Sequence, residues 1–278
     1  MLNGINYGSI RRYAVLVTVV LLAAACGSKN TIRPGDTLDV AFEKAMGQYE
    51  RGRYSQAVRS FETVLSIARG TELAADAQFY LAMSNYKNRA YLVAASEFRR
   101  FARTYARDER RKEAEFMEAL CHYRMSPRYN LDQTETYNAL DRFQLFITRY
   151  PGTDMAAEAI VYMDEMRDKL AKKKFMAAEM YMRLREYRSA ALYYSLTVER
   201  FPESQWAERA MVNQIRAWYE YAVNSVQERQ QERFLKAIDS YESYVQVFPR
   251  GENREIAEEY YDMILTRMAD LATITAGR

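Results

Sequence analysis

Residues 190–202 run Ala190-Ala191-Leu192-Tyr193-Tyr194-Ser195-Leu196-Thr197-Val198-Glu199-Arg200-Phe201-Pro202. An alanine, a ring one turn later and an aromatic-proline pair two turns beyond that describe a helix with a small residue on its inner face and a stop at its end. The same trio returns as Ala139/Phe143 before Tyr150-Pro151 and as Ala237/Tyr241 before Phe248-Pro249. Two earlier segments keep the spacing without the proline: Ala57/Phe61, and Ala94/Phe98 before Tyr105. A unit recurring five times at a few tens of residues predicts a solenoid, in which a helical hairpin buries its apolar face only by stacking on its neighbours. The expected fold is all-α, a tetratricopeptide-like α-solenoid of about five helix pairs with a C-terminal capping helix. Such a scaffold presents a long surface and no catalytic cleft, so the expected activity is recognition.

Composition agrees. The 278 residues are 49% hydrophobic, ample for a core, and contain only 10 Gly and 5 Pro. After residue 30 there is no Asn-Gly or Asp-Gly pair to close a β-hairpin. Pro34, Pro127, Pro151, Pro202 and Pro249 can all lie between helices, where a missing backbone donor does no harm. Residues Arg254 to Thr273 form the expected cap, with Ile256, Tyr260, Ile264 and Leu271 broadly on one side.

The net charge is +3. Arg11 and Arg12 fall in an N-terminal segment expected to be removed, which leaves 38 of the 40 basic residues against 37 acidic ones. That balance gives no basic footprint for nucleic acid. The runs Arg107 to Lys112 and Lys172 to Lys174 have acidic residues close by and read as solvated helix faces.

The paired arginines precede an apolar run, Tyr13 to Ala25, too short for a comfortable membrane span and ending in small residues, the pattern of a secretory signal. Leu22-Ala23-Ala24-Ala25-Cys26-Gly27 also resembles a bacterial lipobox, in which the chain is cut before a cysteine that becomes lipid-modified. Several acyl chains on Cys26 would anchor the protein stably where one would not. An ordinary secretory signal with an incidental cysteine is the alternative. Gly27 is not the aspartate associated with inner-membrane retention, so by that resemblance the expected address is the outer membrane, facing the periplasm. Residues 1–25 are then the signal peptide and 26–36 the lipidated N-terminus and tether.

The repeats carry the rest. Gly52 and Tyr54 before Ala57 resemble the second half of a tetratricopeptide repeat, and 37 residues later Tyr91, Ala94, Phe98 and Phe101 repeat the pattern. The third copy is lengthened by Ser126 to Gln133, and the fourth and fifth carry Tyr187/Ala190/Tyr194 and Phe234/Ala237/Tyr241. In the first helices of the first two copies, Phe42/Phe79, Met46/Met83 and Tyr49/Tyr86 are each 37 residues apart, and each trio lies on one helical stripe. Counted back from the alanines without gaps, that stripe lines the concave side and could hold an extended peptide. With a one-residue deletion in the turn it enters the core, and Tyr80, Lys87 and Asn88 become the groove candidates.

Several stretches carry a family resemblance. Met125-Ser126-Pro127, Asp132-Gln133-Thr134, Phe143-Gln144-Leu145-Phe146, Arg149-Tyr150-Pro151-Gly152-Thr153, Tyr86-Lys87-Asn88 and Lys169-Leu170-Ala171 look like the BamD family of outer-membrane assembly lipoproteins. The resemblance runs from the lipobox to the fifth repeat. It implies a non-catalytic scaffold of the barrel assembly machinery that docks on BamA and presents its N-terminal groove to the C-terminal signal of unfolded barrel proteins. On that basis residues 37–148 hold the substrate-binding half, with Phe42, Met46, Tyr49, Phe79, Tyr80, Met83, Tyr86, Lys87 and Asn88 at the site. Residues 149–278 hold the docking half, with Tyr187, Arg188, Tyr193 and Arg200 on its surface. A tetratricopeptide lipoprotein serving another envelope machine, through pilotin-like secretin assembly or cell-envelope coordination, is the alternative.

Enzyme signatures are missing from the sequence. The one histidine, His122, neighbours Cys121, and adjacent helical residues point about 100° apart, so the two make a poor base and nucleophile. One His and one free Cys supply no three-ligand zinc set unless carboxylates join them, and no Gly-rich phosphate loop occurs. No cofactor or metal is expected, and Cys121 reads as a small core residue.

Overall fold

The computed structural model describes residues 31–276; Cys26 and the expected signal segment lie outside them. Among the described residues the chain forms eleven helices and no strand. It divides into two compact units, the first ending at Arg124 and the second beginning at Met125. The first unit holds α1 (Leu38–Glu50), α2 (Tyr54–Ile67), α3 (Leu73–Lys87), α4 (Tyr91–Thr104) and α5 (Arg111–Met125). The second holds α6 (Thr134–Arg149), α7 (Asp154–Arg183), α8 (Tyr187–Arg200), α9 (Ala207–Val223), α10 (Gln227–Val247) and α11 (Arg254–Ala276).

Within each unit, helices pack on their neighbours in sequence and on the helix after next: α1 on α2 and α3, α9 on α7, α8, α10 and α11. This nearest-neighbour order is the packing rule of tetratricopeptide-like arrays. The five marker alanines, Ala57, Ala94, Ala139, Ala190 and Ala237, are all fully buried, so helices can approach closely where a larger side chain would hold them apart. One turn on, Phe61, Phe98, Phe143 and Tyr194 are fully buried too, each worth about 1.5–3 kcal/mol of transfer free energy.

Both ends of the second helix of each hairpin have a physical cause. Three hairpins turn through a left-handed residue five positions before the alanine: Gly52 (φ 72°), Arg89 (φ 62°) and Arg185 (φ 60°). The following amide then reaches back to close the first helix, Arg53 to the Gln48 carbonyl, Ala90 to Asn85 and Glu186 to Tyr181, the Schellman pattern. At the far end the helix stops eleven residues after the alanine, with Tyr105, Tyr150, Phe201 and Phe248 as C-caps at ψ 56–65°. Proline after three of these rings disfavours the helical region for the ring residue and supplies no amide to continue.

The cap helix α11 buries Ala257 and Ile264, with Tyr260, Met268 and Leu271 half-buried against the α9–α10 core. Ile256, expected on that face, is 46% exposed instead. The buried stripe starts one residue later, because Ala257 fits the close contact.

Candidate recognition surfaces

In the first unit two rings of the predicted stripe, Phe42 and Tyr49, join a chain of rings through Phe61 and Tyr80. Phe42 meets Phe61 edge-on at 6.0 Å, Tyr80 stacks on Phe61 at 6.0 Å, and Tyr49 meets Tyr80 edge-on at 5.3 Å. Phe42, Met46, Tyr49 and Tyr80 are half-buried against the core built around Ala41, Ala57 and Phe61. Phe79 goes further inward: only 5% exposed, it packs on Phe98 and Phe101 under the Arg110 guanidinium. Phe79 is therefore a core residue with almost no surface to offer a ligand. Met83 is half-buried.

The polar edge lies beside this chain. Tyr86 is half-buried and meets Tyr91 edge-on at 5.5 Å, a copy of the Tyr49–Tyr54 pair at 5.7 Å. Lys87 and Asn88 are exposed where α3 ends, and the Asn88 side-chain oxygen accepts from Ser55 Oγ at 2.8 Å. Tyr54 and Tyr91 belong to this surface and were not anticipated as site residues. Their signal was available in the sequence: each stands three residues before a marker alanine, one repeat apart.

In the second unit the four expected docking residues share α8 but do not form one patch. Tyr187 and Arg188 open the helix and Arg200 closes it, roughly 18 Å away at 1.5 Å per residue. Tyr193 lies between them, half-buried and 4.9 Å from Tyr181. Arg200 lines a cleft of about 300 Å³ with Asp164, Arg167, Asp168, Phe201 and Ser204. Burial, together with the Arg200 charge, holds the Lys174 ammonium below its usual pKa.

Both charge runs differ from the solvated faces expected of them. Lys172 sits over the rings of Tyr129 and Trp206, at 4.9 and 5.5 Å, while Lys173 donates to the Leu131 carbonyl at 2.5 Å and Lys169 donates to Ser126 Oγ. These lysines strap the 126–133 loop onto α7. Arg110 likewise bridges Asp76 and Asp108 at 2.7 and 2.8 Å while covering Phe79 and Phe101. Long cationic stems pack on rings while their heads find acceptors, which a count of charges along the chain does not show.

Cys121 is fully buried, and burial pushes its thiol up to about 12, so it is a protonated packing group at neutral pH. Among the described residues no cluster of His, Cys, Asp and Glu could hold a metal ion, and no helix is long and apolar enough to cross a membrane.

The profile of the YfiO family, described as outer membrane lipoprotein, matches residues 35–234. The chain belongs to the YfiO family of outer membrane lipoproteins. It is 22% identical to the outer membrane protein assembly factor BamD of Caulobacter vibrioides over 225 residues, covering 78% of this chain and 74% of that one. The BamD of Rickettsia prowazekii is 21% identical over 209 residues, covering 74% of this chain and 82% of its own. Among solved structures, a tetratricopeptide-repeat protein of Bacteroides fragilis aligns with a TM-score of 0.45 at 12% identity, covering 82% of this chain and 99% of that one. The YfiO match spans both compact units, from the residues before α1 into α10.

Proposed function

We propose that this YfiO-family protein is a non-catalytic assembly factor for outer-membrane β-barrel proteins, tethered through Cys26 to the outer membrane and facing the periplasm. In this reading the first unit receives the C-terminal signal of an unfolded barrel protein and α8 of the second unit contributes to docking on BamA. The observation that carries it is the family match over residues 35–234, reinforced by two BamD relatives that each align with about three quarters of the chain.

The geometry of the first unit supports a refined site. Phe79 is withdrawn into the core, so recognition falls to the half-buried rings Phe42, Tyr49, Tyr54, Tyr80, Tyr86 and Tyr91, with Lys87 and Asn88 at the edge. An extended signal segment ending in an aromatic residue and a carboxylate matches ring faces beside a lysine. Met46 and Met83, unbranched and half-buried, can adjust to different client side chains.

A photocrosslinker at Lys87 should capture nascent barrel proteins, whereas one at Glu62, exposed on α2, should not. Equal capture at both, or capture at Glu62 alone, overturns the placement of the site. Depletion tests the wider role: barrel proteins should disappear from the outer membrane, and co-purification from solubilised membranes should recover BamA. Recovery of a secretin without BamA would instead assign the protein to secretin assembly.

A further inference from the structure

We propose that α11 is a self-association surface, on which a second copy of the same chain lies antiparallel across a two-fold axis. The proposal is independent of the barrel-assembly reading and uses none of the individual residues named at its recognition and docking sites.

Two sides of α11 differ. The side carrying Ala257, Tyr260, Ile264, Met268 and Leu271 packs on α9 and α10. About 90° round the helix, Ile256, Met263, Arg267, Asp270 and Ile274 fall within about 60° of one another at 100° per residue. All five are exposed, with Ile256 at 46%, Met263 at 36% and Ile274 at 50%. No described helix covers this stripe, and its exposed apolar side chains, Ile256, Met263 and Ile274, lie along one line of the helix with Arg267 and Asp270 between the last two.

The charges on the stripe point to the occupant. Among the described residues neither Arg267 nor Asp270 has an ion-pair partner, although both stand on the same face. An isologous contact must be self-complementary, each residue meeting its counterpart across the axis. With the axis midway between Arg267 and Asp270, each arginine faces the aspartate of the second copy. The same register places Met263 of each copy opposite Ile274 of the other, so one alignment satisfies the charged pair and this apolar pair, while Ile256 lies outside the overlap. Beside Ile274 lies a groove of about 510 Å³ lined by Val223, Phe234, Leu271 and Arg267. A methionine from the opposing helix, unbranched and flexible, is suited to fill such an irregular space. The overlap from 263 to 274 is about 16 Å of helix, too short for an obligate dimer, so the contact should be reversible and strengthened when both copies are held on one membrane.

The test is a charge swap on the full-length chain in detergent, followed by sedimentation over a hundredfold range of concentration. Wild type should show a concentration-dependent dimer. Arg267→Glu or Asp270→Arg alone should weaken it about tenfold or more, since the two-fold axis makes each reversal act twice. An equimolar mixture of the two variants should recover the dimer, because a heterodimer restores both opposite-charge contacts. As a check on orientation, chains carrying Met263→Cys and Ile274→Cys should cross-link to each other under oxidation and neither should cross-link to itself. Unchanged circular dichroism shows that these exposed substitutions leave the fold intact. A wild type that stays monomeric throughout, a dimer indifferent to the reversals, or a mixture that fails to recover each overturns the proposal. A reversal that leaves self-association untouched but abolishes co-purification of another envelope protein assigns the stripe to that protein and overturns it equally.

Discussion

The second hairpin, α3–α4 in the first unit, and the fifth, α9–α10 in the second, solve the same packing problem with different chemistry. In α4 the rings one and two turns past the alanine, Phe98 and Phe101, are both fully buried. In α10 the first of those positions, Tyr241, is half-buried and stacks on Tyr261 at 4.2 Å, while Tyr244 at the second fills the core. A phenol inside a core needs a partner, and Tyr244 donates to Glu208 at 3.0 Å. The same Glu208 oxygen accepts the Asn253 amide at 2.7 Å, which ties the turn after α10 back to the start of α9. In the second hairpin the corresponding tie runs through Arg110, held by Asp76 and lying over Phe79 and Phe101. Phenylalanine rings filling a core are indifferent to pH but not to loss of volume, whereas a phenol–carboxylate bond inside a core depends on both members being present and correctly protonated.

The largest expected effect is therefore in the first unit. Phe98→Ala removes a fully buried ring and should cost about 3–5 kcal/mol, read by denaturant unfolding and by faster amide exchange in α3 and α4. Exchange in α9–α11 should hardly change. Equal loss of protection in both units would mean that the two hairpins are not energetically separable.

The second break targets Gly251. A Cβ there would lie 2.5 Å from both the Glu208 carboxylate and the Tyr244 hydroxyl, the two atoms whose bond defines the fifth hairpin. Gly251→Ala should cost about 1–3 kcal/mol, with the loss of protection centred on α10 and α11. A neutral result would show that the turn can shift without disturbing the carboxylate.

Acid sharpens the same contrast. Burial raises the Glu208 pKa, but hydrogen bonds from the Asn253 amide and side chain and from Tyr244 outweigh it, so the carboxyl titrates below its ordinary value of 4.5. Its contribution is complete above that value and declines as pH falls through the lower folded-state pKa. Glu208→Gln should therefore flatten the acid side of the stability profile of α9–α11 and lower stability modestly at pH 7. The profile of α3–α4 should be unaffected, and an unchanged acid limb in the variant would remove Glu208 from the account.

What was legible in the sequence follows from range. The marker alanines, the ring after them and the proline stops act within one helix, and their burial and cap geometry match their spacing. The exchange of Tyr241 for Tyr244 was not legible. Both rings lie on the inner side of α10, and the choice depends on Glu208 and Gly251, which reach the site from another helix and from the following turn. The lysines of α7 looked like a solvated face for the same reason, since Tyr129, Trp206 and the Leu131 carbonyl approach them only in three dimensions. Among the site residues, Phe79 shared its stripe with surface rings. Its burial is decided by Phe98, Phe101 and Arg110 closing over it.

The smallest expected effect concerns the turns. Gly52, Arg89 and Arg185 occupy the same left-handed position in three hairpins, yet only the glycine advertises that geometry in sequence. A non-glycine residue there carries about 1–2 kcal/mol of steric cost, partly offset because arginine restricts the unfolded chain more than glycine does. Arg89→Gly should therefore stabilise the second hairpin by about 0.5–1 kcal/mol, measured by denaturant midpoint at constant slope. Gly52→Arg should cost the first hairpin a similar amount, since open space surrounds Gly52 and only its φ of 72° opposes a side chain. Opposite signs of similar size would assign the difference between these turns to backbone conformation alone. A loss on replacing Arg89 would show that its side chain contributes more than its backbone costs.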